Sequence, residues 1–300
     1  MRKYLVVIPV LALAPADSPG NSAFGHSRRV CDVSTSPNVA SCDALIKTDA
    51  AGKPTAVSPM ASAFGATDLR NAYPNVNGNR ADRNHVVAVV DVYGYSSAYN
   101  DLVAYRKQYF GSSAPISNCS VSSGKFTFSG TAPCFAKVNQ NGSTNGLPAQ
   151  NSGWAQESAL DIQMASAMCP ECSILLVQAK TANFTDIAAA VTTAGNFAGT
   201  VAISNSYGTS VGVDISSSYG YNLPYERAVA KKQAVTVSTG DNGYGISFPA
   251  SVTGVVSTGG TSLYRTSGGW TQRAWAGANP LCNAVAGWDG PTGLGTPPTK

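Results

Sequence analysis

The feature that most constrains the fold is a series of nearly all-apolar segments that alternate with segments of helical periodicity. Strands are predicted at 85–94, 172–179, 200–208 and 234–243, and helices at 97–110, around 153–168, at 184–196 and at 222–233. Such alternation predicts an α/β fold in which a doubly wound, mostly parallel sheet is covered on both faces. Ligands of these sheets bind at the carboxyl ends of the strands.

The N-terminus predicts export. Residues 1–16 read "MRKYLVVIPVLALAPA", in which two cations precede a short apolar run and small residues, as in a signal peptide. The run is too short to span a membrane, so we expect a secreted, extracellular protein without a membrane partner. A disordered N-terminus is the alternative interpretation. Residues 17–65, rich in Ser, Pro, Ala and Asn, are predicted to be a poorly structured lead-in to a domain at 66–300.

Charge and composition argue against several classes of function. The net charge is only +4, and no basic run is interleaved with aromatic residues, so no nucleic acid partner is expected. No GxGxxG or Walker-type loop follows any predicted strand, which leaves nucleotide binding without support. A charged fraction of 12% with 30 glycines is typical of a secreted, loop-rich protein.

Seven cysteines are consistent with an oxidising compartment. Proximity in sequence predicts that Cys31 pairs with Cys42, Cys119 with Cys134, and Cys169 with Cys172. The "CPEC" motif that holds the last pair is also compatible with a redox pair or half of a zinc site. There is no second CxxC and only two histidines, which argues against zinc. Cys282 is left without a predicted partner.

Two acidic residues stand out in the helix predicted around 153–168. Glu157 and Asp161 are four positions apart and therefore share a face of the helix. Trp154, Met164 and Met168 fall on the same side, and Ser152, Gln156, Gln163 and Ser166 fall on the opposite side. An unpaired carboxylate in an apolar stripe is costly, so the pattern favours a buried functional pair over a solvated face.

A third acidic residue, Asp241, follows the last predicted strand in "STGDNG". Its position at a carboxyl edge is compatible with a simple turn residue, since Asp beside Gly is common in turns. The functional interpretation requires Asp241 to face Glu157 and Asp161. One ion that binds all three acids is a further alternative, although such sites usually lie in Asp-rich loops.

Several blocks, in order, carry a resemblance to a known family. They are "ATDLRNAY" (66–73), "VVAVVDVYG" (86–94), "FAKVNQNG" (135–142), "ESALDIQMASAMCPEC" (157–172), "VAISNSYG" (201–208), "VSTGDNG" (237–243), "SFPASVTGVVSTGGTSLY" (247–264) and "AGWDGPTGLGTP" (286–297). Together they span most of residues 66–300. This part of the chain resembles the sedolisins, the serine-carboxyl peptidases, which share the subtilisin-like fold.

The resemblance implies a role for each acid. Glu157 would be the general base for a serine nucleophile, Asp161 would orient Glu157, and Asp241 would donate in the oxyanion hole. It also implies endopeptidase activity in acid, a peptide or unfolded protein as substrate, and a monomer. Acid operation agrees with carboxyl chemistry, because a carboxyl group donates to an oxyanion only when it is protonated. A Ser-His-Asp triad is a poor alternative, because His26 and His85 are the only histidines and neither lies in an HGT-type motif.

The expected nucleophile departs from the family pattern. Sedolisins carry the serine in a late G-T-S-x-x-x-P block, whereas the late G-T-S here contains Ser262, soon after Asp241 and without the proline. Ser262 is therefore predicted to be structural and is only a weak candidate nucleophile. The blocks at 268–280 and 281–297 follow each other directly, where the family has a long intervening segment with the serine. We therefore predict an internal deletion near 280 that truncates the C-terminal part of the fold.

The same gap bears on calcium. By resemblance, the carbonyl of Gly287 and the carboxylate of Asp289 would be Ca²⁺ ligands, but the Asp-containing half of the cage would be missing. Ca²⁺ requires six to eight oxygen ligands, so the site is expected to be incomplete. The resemblance also places the expected partner of Cys282 in the missing segment. The sequence thus predicts a catalytically incomplete secreted peptidase homologue, with a non-catalytic peptide-binding module as the alternative.

Overall fold

The computed structural model describes residues 26–54, 64–74, 81–209, 220–240 and 247–274. Its strands are β1 (His26–Arg29), β2 (Ser41–Cys42), β3 (Leu45–Thr48), β4 (Val86–Val92), β5 (Ser117–Asn118), β6 (Ser120–Ser122), β7 (Lys125–Thr127), β8 (Cys134–Asn139), β9 (Ser173–Ala179), β10 (Thr200–Asn205), β11 (Tyr207–Gly208), β12 (Ala234–Ser238), β13 (Val256–Thr258), β14 (Thr261–Thr266) and β15 (Gly269–Ala274). Its α-helices are α1 (Ala66–Ala72), α2 (Ala98–Phe110), α3 (Ser152–Met168), α4 (Phe184–Asn196) and α5 (Leu223–Ala230).

A seven-stranded sheet forms the centre of the fold, in the order β13-β12-β10-β4-β9-β8-β5. Every strand pair within this sheet is parallel. All seven residues of β4 and of β9 are buried, which is why these strands read as almost continuous apolar runs. The predicted α/β class with a parallel sheet is confirmed.

The two faces of the sheet carry different helices, because successive residues of a strand point to opposite sides. Val87 and Val89 of β4 pack in a cluster that includes Leu102 of α2 and Ile162 of α3. The alternate residues of β4 pack in a second cluster with α4 and α5. The sheet is thus covered on both faces, and α3 lies on the same face as α2.

The predicted strand at 200–208 is interrupted at Ser206. β10 ends at Asn205, and the chain then leaves the sheet and forms β11, which pairs antiparallel with β2. The interruption has a local cause, since the hydroxyl of Ser206 is hydrogen-bonded to Asp161. The other predicted strands and helices agree with the structure to within a few residues. The strand predicted at 234–243 ends at Ser238, and residues 241–243 lie outside the described residues.

The prediction of a poorly structured lead-in is wrong for residues 26–54. This segment contains β1 and β3, which pair antiparallel, and β2, which pairs with β11 of the domain. A disulfide between Cys31 and Cys42 closes the segment on itself. Cross-linking and pairing with the domain stabilise a segment whose own composition has little periodicity. Residues 1–25 and 55–63, the rest of the predicted signal peptide and lead-in, lie outside the described residues.

The three predicted disulfides are present, as Cys31–Cys42, Cys119–Cys134 and Cys169–Cys172. Cys282 and the predicted deletion near 280 lie outside the described residues. Within the described ranges, no helix combines the length and apolarity needed to cross a bilayer.

Candidate active site

Helix α3 presents its acids near the carboxyl edge of the sheet, because it begins after the loop that follows β8. The helix is capped by Asn151, whose side-chain oxygen accepts hydrogen bonds from the backbone N–H groups of Gly153 at 3.0 Å and Trp154 at 3.1 Å. Asn is a favoured N-cap residue because it satisfies such free N–H groups. The cap fixes the start of the helix and thereby places Glu157 in its second turn.

Glu157 and Asp161 are buried, with exposed fractions of 2% and 1%. This excludes the solvated-face interpretation. Ser166, on the opposite side of the helix, is also fully buried. Its hydroxyl accepts a hydrogen bond from Arg106 of α2, a contact between helices that the periodicity of α3 does not reveal.

Each acid of the pair is held by a different part of the chain. The Oε2 atom of Glu157 accepts a hydrogen bond of 2.8 Å from the backbone N–H of Ala44. The Oδ1 atom of Asp161 accepts one of 2.9 Å from the hydroxyl of Ser206. The Oδ2 atom of Asp161 is buried and has no hydrogen-bond partner among the described residues. The pair therefore combines fixed orientation with unused acceptor capacity.

Asp91 is a third buried acid, which the sequence analysis did not single out. It is the sixth residue of β4, has no exposed surface, and shares the α3-facing side of the strand with Val87 and Val89. Neither of its carboxyl oxygens has a hydrogen-bond partner in the described part of the chain. The sequence could have identified Asp91 as a candidate site residue, because an Asp inside a strand that is buried on both faces interrupts the apolar pattern.

Asp43 is a fourth acid of the site, contributed by the segment that was expected to be unstructured. Its Oδ2 atom accepts a hydrogen bond of 3.0 Å from Ser238, the last residue of β12. Its Oδ1 atom lies 3.3 Å from Nη1 of Arg29. Only the tertiary pairing of β2 with β11 brings Asp43 to this edge, so no local sequence pattern would have identified it.

Burial and mutual repulsion change the acidity of the whole cluster. Burial, followed by the charges of Asp161 and Asp91, raises the pKa of Glu157 well above its ordinary value. Burial and the charge of Asp161 do the same to the pKa of Asp91, and Ser158 offsets part of this effect. Burial raises the pKa of Asp161 to about 7, against the lowering effect of Ser206. Burial also raises the pKa of Asp43, with a partial offset from Arg29.

This arrangement can hold and exchange protons. Neighbouring carboxyl groups with raised pKa values keep at least one proton among them, so one group can act as an acid while another accepts a proton. Sites of general acid–base catalysis use the same device. We refer to Asp43, Asp91, Glu157 and Asp161 as the acid cluster.

Of the remaining predicted site residues, the structure describes only Ser262. Asp241, Gly287 and Asp289 lie outside the described residues. Ser262 lies in β14, and its neighbour Leu263 packs with Leu69 of α1 and Met168 at the C-terminal end of α3. Glu157 lies in the second turn of the same helix, eleven residues earlier in the sequence. The packing of β14 thus gives Ser262 a place in a hairpin that covers the far end of α3.

Among the described residues, no group of three or more His, Cys, Asp or Glu side chains is arranged to hold a metal ion. The acid cluster itself does not fit a calcium cage, and the two predicted calcium ligands are not described.

The sequence matches no protein-family model and no curated protein. Among solved structures, it is similar to a Pseudomonas sedolisin, a serine-carboxyl proteinase complexed with two molecules of pseudo-iodotyrostatin. The TM-score is 0.51 and the identity 20%, and the similarity covers 73% of this chain and 60% of that one. A lanthipeptide protease gives a TM-score of 0.41 at 18% identity, over 65% of this chain and 53% of that chain. For fervidolysin from Fervidobacterium pennivorans, a keratinolytic enzyme related to subtilisin, the TM-score is 0.39 at 13% identity, over 67% and 28% of the two chains.

The sedolisin similarity defines the class of fold. Together with the parallel sheet, it shows that the chain shares the fold of that sedolisin over the matched part, which is the fold that the sequence resemblance implied. The chain spans only 60% of the length of the sedolisin that it resembles.

Proposed function

We propose that this chain is a secreted, sedolisin-type serine-carboxyl peptidase homologue that retains the acids of the active site without a competent nucleophile. The observation that carries the proposal is the burial of Glu157 and Asp161 beside each other near the carboxyl edge of the sheet, with raised pKa values. A purely structural pair would be expected to have its oxygens satisfied, whereas Oδ2 of Asp161 is not.

In the proposed site, Glu157 accepts the proton of a hydroxyl nucleophile and Asp161 orients Glu157 and tunes its charge. Asp241, in its protonated form, donates a hydrogen bond to the oxyanion that develops on the substrate carbonyl. Asp91 supports the pair as a neutral carboxyl group, because its burial beside Asp161 opposes ionisation. These roles require a pH at which the donor is protonated while the base is at least partly ionised, and the raised pKa of Glu157 moves that range above the ordinary range of carboxyl groups.

The proposed incompleteness concerns the serine. Ser262 belongs to a hairpin that packs on α1 and on the end of α3, and no other residue fits the late G-T-S block. Loss of the nucleophile alone lowers turnover by several orders of magnitude in enzymes of this type. We further propose that the calcium site of Gly287 and Asp289 is incomplete and that the chain is a monomer.

A non-catalytic peptide-binding module is the second candidate, and one contact favours it. β11 continues from the central strand β10 beyond the sheet and pairs antiparallel with β2, an extended segment. An edge that pairs with one extended segment is suited to bind another by strand addition. Peptide binding therefore does not depend on the missing serine.

Digestion of an acid-unfolded protein at about pH 4 and again at about pH 6 tests the proposal, because the raised pKa of Glu157 keeps this group protonated at the lower pH. The wild type is compared with Glu157→Gln and with the matched control Glu226→Gln, a change on α5 away from the acid cluster. We expect no cleavage above background in any of the three. Sustained cleavage that only Glu157→Gln abolishes would overturn the incompleteness and identify an active peptidase. Binding of a labelled peptide without turnover would favour the second candidate.

A further inference from the structure

A continuous segment of the N-terminal region lies across the site. We name residues 38–45 the edge strap. At its first end, the carbonyl of Asn38 accepts a hydrogen bond of 3.0 Å from the N–H of Phe184. The N–H of Ala40 donates one of 2.8 Å to the carbonyl of Ala182. These contacts attach the strap to the chain that enters α4.

The middle of the edge strap takes the place of a neighbouring strand beside β11. Cys42 pairs with Tyr207 and Ser41 with Gly208, in antiparallel register. β11 has no other strand partner in the described part of the chain, because the chain leaves the central sheet where β10 ends. The strap therefore occupies the extended edge to which a peptide would otherwise pair.

The last part of the edge strap contacts the acids themselves. Asp43 bonds to Ser238 at the end of β12, and the N–H of the next residue, Ala44, donates to Oε2 of Glu157. With the strap in place, Glu157 is 2% exposed and one of its oxygens is engaged. An external peptide cannot reach Glu157 in this arrangement.

Contacts with the preceding residues of the chain fix the edge strap in place. The Cys31–Cys42 disulfide joins the strap to the residues that precede it. Nη1 of Arg29 donates to the carbonyl of Cys42 at 3.2 Å, and the N–H of Val30 donates to the carbonyl of Ala44 at 3.1 Å. The carbonyl of Val30 lies so close to Gly153 of α3 that a Cβ atom there would be 2.2 Å away. The contact thus requires glycine.

We propose that the edge strap is a self-bound occupant that closes the acid cluster, and that the Cys31–Cys42 disulfide is its latch. Access of an external peptide to Glu157 requires the strap to leave β11, and the disulfide limits the conformations available to the released segment. The inference rests on the proposed site, but not on peptidase turnover, because it concerns only whether the acids are covered.

Carboxyl footprinting of the full chain tests this closure. A carbodiimide and glycine ethyl ester convert accessible carboxyl groups to amides, which peptide mass spectrometry locates. The double variant C31S/C42S removes the latch, and C119S/C134S removes a disulfide on a different part of the sheet. We expect the labelling rate of Glu157 to rise about tenfold in C31S/C42S and to stay at the wild-type value in the control.

Ala44→Pro provides a second route if C31S/C42S does not fold. It removes the N–H that donates to Glu157 and leaves all disulfides intact. Hydrogen exchange should then show faster exchange at residues 38–46 and 205–208, together with labelling of Glu157. Unchanged labelling of Glu157 in a folded variant whose strap exchanges freely would overturn the proposal. An equal rise in C119S/C134S would also overturn it, because the opening would not be specific to the strap. The digestion of unfolded protein described above tests the proposed function independently of the labelling of Glu157.

Discussion

The two ends of helix α3 both bury ionisable groups, but they do so in opposite ways. At the C-terminal end, Arg106 of α2 is 2% exposed and hydrogen-bonds to Ser166 and to the carbonyls of Ala114, Pro115 and Pro170. At the N-terminal end, the acid cluster gathers four carboxyl groups, and Asp91 and Asp161 have oxygens without partners among the described residues.

The difference separates a structural role from a functional one. Arg106 ties α2, α3 and two loops together, and its donors are matched by acceptors. The acid cluster brings four buried carboxyl groups together and leaves some of their oxygens without donors. Burial and mutual repulsion raise their pKa values, so ionisation of the cluster costs stability. Proteins usually violate local rules in this way at functional sites. Mutations at the two ends should therefore have opposite consequences.

The largest expected effect is at the C-terminal end of α3, where Arg106 has its hydrogen-bond partners. Arg106→Met should lower the free energy of unfolding by about 3 kcal/mol, because it leaves buried acceptors without donors. Urea unfolding at neutral pH measures this effect. Arg28→Met, at a more exposed position in β1, is the control and should change stability little. If Arg106→Met lowers the free energy of unfolding no more than Arg28→Met does, the two ends of α3 do not differ in the way described.

The next effect is at the acid cluster and depends on pH. A folded pKa of about 7 for Asp161, above its ordinary value of 3.8, means that its contribution to stability is complete below about pH 4 and is lost as the pH rises towards 7. Asp161→Asn keeps an oxygen that can accept from Ser206 and removes this loss.

We therefore expect the free energy of unfolding of Asp161→Asn to exceed that of the wild type by about 2 kcal/mol near pH 7.5. The difference should disappear near pH 4, and urea unfolding at the two pH values measures it. Asp49→Asn in an exposed loop is the control. A variant that is equally destabilised at both pH values would show that Asp161 is a structural residue like Arg106.

A smaller effect should follow from Gly153→Ala, at the contact between α3 and the segment that holds the edge strap. Alanine favours a helix, but its Cβ would meet the backbone carbonyl of Val30, which cannot move aside without shifting the strap. We expect a net loss of about 1 kcal/mol. Gly130→Ala is the matched control, because no atom lies within 4 Å of its added Cβ. Stabilisation by Gly153→Ala would contradict the close backbone contact between Gly153 and Val30.

The smallest expected effect is that of calcium. If the site of Gly287 and Asp289 is incomplete, millimolar Ca²⁺ should raise the melting temperature of the metal-free protein by less than about 2 °C. Mg²⁺ at the same concentration controls for ionic strength. A specific rise of many degrees with Ca²⁺ would show a complete cage and argue against the predicted deletion.

Much of the fold follows from the sequence, because a parallel sheet requires apolar strands that alternate with helices. The burial of Glu157 and Asp161 was also predictable, since both lie in the apolar stripe of α3. Asp91 was visible as an acid in an otherwise apolar strand, but a single polar residue gives no information about its partners. Asp43 and the edge strap were not predictable, since they depend on pairing between positions 42 and 207. The burial of Ser166 escaped prediction for a similar reason, because Arg106 reaches it from another helix.

A ¹³C-carboxyl NMR titration of the full chain tests the central claim, that the acid cluster is buried and electrostatically strained. Asp91→Asn, Glu157→Gln and Asp161→Asn spectra assign the resonances. We expect Asp161 to titrate near pH 7, and Asp91 and Glu157 to remain protonated at pH values well above their ordinary pKa values. Titration of all three groups at the ordinary values of Asp and Glu, about 4, would contradict it.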